Sequence, residues 1–164
     1  MSKVVVIGAG IAGIPAAFEL RDLLGRSADI TVVSDCDYFQ FVPSNPWVAV
    51  GWRHPEDIKI SLPDVFARKR ITFSSAGVKR VVPDENKIHL GDGTSLDYDY
   101  LVIATGPKLA FDEVEGLGPQ GHTRSICAVD HADAASKQWE AFCRDPRAHG
   151  RRRRPGRLLL RSGL

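Results

Sequence analysis

The sequence predicts an α/β fold with a parallel sheet, and three observations carry that expectation. Lys3–Ile7 is a β-branched run that stops at Gly8. The glycine-spaced stretch Gly8-Ala9-Gly10-Ile11-Ala12-Gly13 follows at once and leads into apolar residues at helical spacing as far as Leu24. A second β-branched run, Ile30–Ser34, completes a strand–helix–strand unit. Continuous apolar runs of this length suit strands covered on both faces, as in a parallel sheet.

The elements follow from their residues. Ile14, Ala17, Phe18, Leu20 and Leu24 recur at helical spacing, and Gly25 ends the segment. Pro15 is tolerated because it falls near the first turn. Residues 35–66 read as irregular, broken by Pro43, Pro46, Pro55 and Pro63 and dense in aromatics (Tyr38, Phe39, Phe41, Trp47, Trp52). Loops this long carry function or cover something. Short strands return at Ile71–Phe73, Val78–Val82 and Lys87–Leu90, with turns at Asp84-Glu85-Asn86 and Gly91-Asp92-Gly93. Tyr100–Thr105 is a further apolar strand, stopped by Gly106-Pro107. A helix is expected over residues 131–143, N-capped by Asp130, with Ala135, Trp139 and Phe142 on one stripe.

Composition excludes several classes. With 164 residues, 43% of them hydrophobic, the chain suits one globular domain. No stretch approaches the ~20 apolar residues of a membrane span. The amino-terminal run is too short and too glycine-bounded for a signal peptide, so a cytoplasmic protein is expected. Cys36, Cys127 and Cys143 show neither CxxC pairing nor zinc spacing, which argues against a disulfide framework and against a metal site. Charge divides the chain: residues 1–143 hold 14 Lys+Arg against 19 Asp+Glu, whereas residues 144–164 hold eight arginines and one acid, Asp145. Such a tail invites a nucleic-acid reading, which is not the favoured one for reasons given below.

GxGxxG gains meaning from its position between a strand and a helix. Gly8 permits the tight turn, Gly10 lets the backbone approach a pyrophosphate at the helix N-terminus, and Gly13 lets helix and strand pack closely. An acidic residue at the end of the second strand normally holds the ribose hydroxyls. Here Ser34 stands there with Asp35 one step later, and Asp35 is either a ribose ligand or a solvated turn residue.

Leu96-Asp97-Tyr98-Asp99-Tyr100-Leu101-Val102-Ile103-Ala104-Thr105-Gly106 resembles the second fingerprint of the two-dinucleotide-binding-domain flavoproteins. In that superfamily this strand returns the chain from a β-meander to the FAD pocket. The resemblance implies a Rossmann-like FAD-binding fold, truncated, with a β-meander, and FAD as cofactor.

Ser125-Ile126-Cys127-Ala128-Val129-Asp130-His131-Ala132, together with Phe41-Val42-Pro43-Ser44-Asn45-Pro46, resembles the sulfide:quinone oxidoreductase family, to which the flavoprotein subunit of flavocytochrome c sulfide dehydrogenase is closely related. The resemblance runs from residue 1 to about residue 146. It implies an FAD-dependent oxidoreductase that takes electrons from sulfide and passes them to quinone. It further implies that Gly8, Ala9, Gly10, Ile11, Ala12, Gly13, Ser34, Asp35, Val42, Pro43, Val78, Ala104, Thr105 and Gly106 hold the cofactor. Cys127 matches one of the family's redox cysteines and His131 a functional neighbour. The chemistry suits the residue types, since a thiolate is the competent nucleophile toward sulfur and a helix N-terminus favours it. Without the resemblance, Cys127 would read as a small core residue. Cys36 and Cys143 match no family cysteine and are expected to be structural.

The resemblance also explains the tail. With one GC-rich choice of codons, residues 147–164 read one base later become an apolar, cysteine-containing segment resembling the one this family carries next. A frameshift near Pro146 is therefore expected, with residues 144–164 a disordered Arg-rich tail after an N-terminal part of an FAD-binding domain over 1–143. The expected product is a truncated and impaired form, and peripheral membrane contact is expected only of a full-length one. Two alternatives stay open. One is an NADH-dependent flavoprotein such as a type II NADH:quinone oxidoreductase, which shares the glycine loop and Ala-Thr-Gly but gives no reason for Cys127. The other is an inactive fragment or a basic-tailed nucleic-acid-binding remnant.

Overall fold

Val4, Val5, Val6 and Ile7 are all buried, which is what a central strand covered on both faces requires. They belong to β1 (Ser2–Ile7), which pairs in parallel with β2 (Ala28–Val33) on one side and β9 (Tyr100–Ile103) on the other. β5 (Thr72–Ser74) adds in parallel beyond β2, so the sheet runs β5-β2-β1-β9. The computed structural model describes residues 1–116 and 125–144.

Alternate residues of β1 serve opposite faces. Val4 and Val6 pack with Ile30, Val32, Leu62 and Phe66 beneath α1 (Gly13–Leu24) and α3 (Leu62–Arg68). Phe66 is fully buried, stacked on Phe73 at 5.4 Å between ring centroids and edge-on to Phe18 at 6.0 Å. Val5 and Ile7 pack instead with Val33, Ile88, Leu90 and Tyr98. That second cluster lies beneath an antiparallel meander of β6 (Val78–Val82), β7 (Lys87–Leu90) and β8 (Ser95–Asp97). The α/β sheet with its β-meander is thus as expected.

Two expectations are corrected. Residues 35–66 are not irregular: they form β3 (Tyr38–Gln40) paired with β4 (Lys59–Ser61), together with α2 (Asn45–Ala49) and α3. The prolines that read as breakers, Pro46 and Pro63, sit in the first turns of α2 and α3, where a missing N–H costs no helical bond. The last helix, α4, spans Val129–Arg144, so Asp130 lies inside its first turn instead of capping it. The helix starts earlier because Val129 packs with Val48, Ile58 and Ala132, and the carboxylate of Asp130 still complements the helix dipole. The stripe positions Trp139 and Phe142, the Cys143 side chain and the Arg-rich tail lie outside what is described.

Candidate functional site

The glycine loop sits where β1 ends and α1 begins, at the point where the chain's strand order switches from one side of β1 to the other. In such sheets the crevice outside the carboxyl ends of the strands is where ligands bind. Gly8 has φ +100°, and a Cβ there would collide with the Ala104 carbonyl of the neighbouring strand end. A Cβ at Gly13 would fall on the carbonyl of Gly8. Gly10 differs, because a Cβ there would meet no protein atom within 4 Å.

That open space belongs to a cleft of about 380 Å³ lined by the loop (Gly8, Ala9, Gly10, Ile11), Ser34, Asp35 and Cys36, the segment Tyr38–Pro43, and Thr105. Among the described residues, Asp35 is the one acidic side chain that lines it. An anion would therefore meet backbone amides and the N-terminus of α1, where Ala12 offers no side-chain cap and the first turn holds no acid. The residue before Asp35 is fixed at both of its backbone groups: the Ser34 amide donates to the Ser74 carbonyl at 2.9 Å, and the Gly77 amide donates to the Ser34 carbonyl at 2.8 Å. Ser34 itself is buried, with its hydroxyl 3.8 Å from the Cys36 thiol.

Of the expected cofactor residues, Gly8, Ala9, Gly10, Ile11, Ser34, Asp35, Val42, Pro43 and Thr105 come together in this cleft. Ala12, Gly13, Ala104 and Gly106 stand beside it without lining it. Val78 is elsewhere, half-buried in β6 against the meander core and paired with Leu90. Sequence reasoning did not single out Cys36, Tyr38, Phe39, Gln40 and Phe41 as lining residues. The signal for them was the aromatic density of the loop, which marked the region but not the residues.

Cys127 is exposed, which removes the reading of a small buried core cysteine. Its amide donates to the Ser125 hydroxyl at 3.2 Å, and among the described residues its thiol makes no hydrogen bond. The loop before α4 is tied back to α2 where the buried Asn45 donates to the Ile126 carbonyl at 2.7 Å. His131 is buried, 4.9 Å from Phe111 between ring centroids, and its Nδ1 accepts the Ser125 amide at 3.3 Å. In the neutral ring that leaves the proton on Nε2. His131 thus braces the turn that carries Cys127, without a hydrogen bond to the thiol. Among the described residues no cluster of His, Cys, Asp and Glu suits a metal ion, and no helix is long and apolar enough to cross a membrane.

A glycine loop at a switch point, with an acid beyond the second strand, defines a dinucleotide-binding α/β protein. More particularly, residues 2–149 match the family described as pyridine nucleotide-disulphide oxidoreductase, and the chain belongs to that family. The sulfide-quinone reductase of Aquifex aeolicus (strain VF5) is 39% identical over 143 residues, covering 87% of this chain and 32% of the relative. The solved structure of the sulfide:quinone oxidoreductase from Aquifex aeolicus matches with a TM-score of 0.78 over 89% of this chain and 33% of that one, at 39% identity. A NAD-dependent persulfide reductase from A. fulgidus matches with a TM-score of 0.72 at 28% identity, over 85% of this chain and 27% of that one. The putidaredoxin reductase of Pseudomonas putida is 33% identical over 141 residues, 83% of this chain and 33% of the relative. The resemblance to sulfide:quinone oxidoreductases is borne out, and the chain spans about a third of the length of these relatives.

Proposed function

We propose that residues 1–143 form the first part of the FAD-binding domain of an oxidoreductase of the sulfide:quinone type, with Cys127 as a sulfur-reactive thiol. The observation that carries this reading is the cleft itself, whose described lining offers backbone amides and no lysine or arginine for the phosphates, open space at Gly10, and the acid Asp35. A cleft built this way suits a dinucleotide with free ribose hydroxyls, since Asp35 would repel a 2′-phosphate. FAD supplies, when bound, the capacity to accept two electrons and pass them on singly or together. The chain's own residues do the rest. Gly10 and the first turn of α1 receive the pyrophosphate, Asp35 takes the ribose hydroxyls, and Phe41, Val42 and Pro43 provide an apolar wall beyond.

Cys127, exposed next to the start of α4, is the thiol that would carry sulfur, since cysteine alone alternates between thiolate, disulfide and persulfide; joining sulfide to it as a persulfide releases a proton and two electrons, for which bound FAD would be the acceptor. His131 acts by fixing the Ser125–Cys127 turn through its Nδ1 contact. Sulfide as donor and quinone as acceptor come from the likeness to the Aquifex aeolicus proteins, and peripheral membrane contact is proposed only for a full-length form. The test is anaerobic addition of sulfide to the flavin-loaded, frame-corrected, full-length protein. The flavin colour is lost in the unsubstituted protein, whereas Cys127→Ser keeps its flavin and stays yellow. Bleaching at the unsubstituted rate in Cys127→Ser contradicts the role given to Cys127. A second reading, an NADH-dependent flavoprotein, draws on the likeness to the NAD-dependent persulfide reductase. It is favoured if NADH bleaches the flavin and sulfide does not.

A further inference from the structure

Asn45 is 0% exposed, in the first turn of α2. A buried carboxamide is costly unless its hydrogen bonds are made, and here both ends are engaged. Nδ2 donates to the Ile126 carbonyl at 2.7 Å, and Oδ1 accepts from Gln40 Nε2 at 2.7 Å. The Ile126 carbonyl can only accept, which fixes the orientation of Asn45 and in turn that of Gln40. Gln40 belongs to the wall of the dinucleotide cleft, and Ile126 is the residue before Cys127. Two hydrogen bonds through one side chain therefore join the cleft wall to the peptide that enters Cys127. The same contact is backed by packing, because Val48 of α2 shares a buried cluster with Val129 and Ala132 of α4.

We propose that Asn45 is a positioning residue: it holds the Cys127 loop in register with the cleft through Gln40 and Ile126, so that filling the cleft changes the accessibility of the Cys127 thiol. The proposal rests on the reading of the cleft as a flavin site. Asn45 is outside the lining of the cleft, makes no hydrogen bond to the thiol among the described residues, and acts through the backbone at Ile126. An apolar residue of similar size would fill the space and lose both connections.

The experiment follows alkylation of Cys127 by iodoacetamide with and without saturating FAD, resolved by peptide mass so that Cys36 and Cys143 do not contribute. In the unsubstituted protein FAD changes the Cys127 rate by about fivefold or more, the low end of coupling between distinct sites. Asn45→Asp keeps the volume and the acceptor for Gln40 but loses the donor to Ile126. Gln40→Met cuts the other link from a half-buried position, and it decides alone if Asn45→Asp does not fold. Each variant, with flavin still bound, brings the ratio of the two rates to within about twofold of unity. A side chain that only fills space would leave that ratio at its unsubstituted value and alter the melting temperature alone, and this result overturns the proposal. So does a ratio of unity in unsubstituted protein that has taken up FAD. If the unsubstituted protein takes up no FAD, the flavin reading itself fails and the proposal falls with it.

Discussion

The glycine loop and the Cys127 turn reach their positions by different means. In Gly8–Gly13 the geometry is made by main-chain atoms in contact: Gly8 against the end of β9, Gly13 against Gly8, with the Gly8 amide on the Val33 carbonyl at 2.7 Å. The sheet that these atoms close is also the core of the molecule. The Cys127 turn lies outside that sheet; the Ala128 amide closes it on the Ser125 carbonyl at 3.5 Å, and side chains position it, Asn45 at Ile126, and His131 and Ser125 around it. Where main chain meets main chain, at Gly8 and Gly13, the site is inseparable from folding, whereas Gly10 and a turn positioned by side chains can be changed while the fold survives.

The sharpest way to break this comparison is at Gly13. A branched side chain there must displace the Gly8 carbonyl, which is backbone and cannot swing aside. Gly13→Val should destabilise by about 3 kcal/mol or more, in the range of the severe core and backbone lesions. Soluble protein with an unshifted thermal melt would show that helix and strand are not packed as described.

The opposite expectation holds for Cys127. Its side chain is exposed and makes no hydrogen bond among the described residues, so Cys127→Ser should shift stability by no more than about 0.5 kcal/mol. Loss of sulfide-dependent bleaching at an unchanged melting temperature would separate chemistry from folding here. A large drop in the melt would mean that the turn is structural after all.

The smallest effect is a control in the meander, remote from both sites. The Asp92 carboxyl is held below the ordinary aspartate range, first by the Thr94 hydroxyl at 2.6 Å and then by the Thr94 amide at 2.9 Å. Because its folded value is depressed, this contribution is present above the ordinary value of about 3.9 and lost as pH falls through the folded one. Thr94→Val should raise the Asp92 titration seen by NMR toward the ordinary range. An unmoved titration would contradict that assignment, and the two sites should be untouched either way.

The same contrast explains how much could be read from the sequence. The spacing of Gly8, Gly10 and Gly13 after a β-branched run leaves few geometries open, so the strand, the loop, the helix and the sheet they build were legible. The run from Leu96 to Gly106 was legible for the same reason. Residues 35–66 were not, because three-residue strands carry no clear period and Pro46 and Pro63 look alike whether they break a helix or begin one. Asn45 was invisible: an asparagine before a proline reads as a turn residue, and its partner lies 81 residues away. Val78 shows a further limit, since a valine that pairs in a meander and one that lines a cleft have the same local pattern.

The central claim is that the cleft above Gly10 is shaped for the pyrophosphate of FAD. Gly10→Val tests it most directly, because the added atoms meet no protein within 4 Å at Cβ and so enter the space reserved for the ligand. Titration with FAD, read by flavin fluorescence alongside a thermal melt, should give uptake by the unsubstituted protein and none by Gly10→Val at an unchanged melting temperature. Equal FAD uptake by Gly10→Val and the unsubstituted protein would contradict the account.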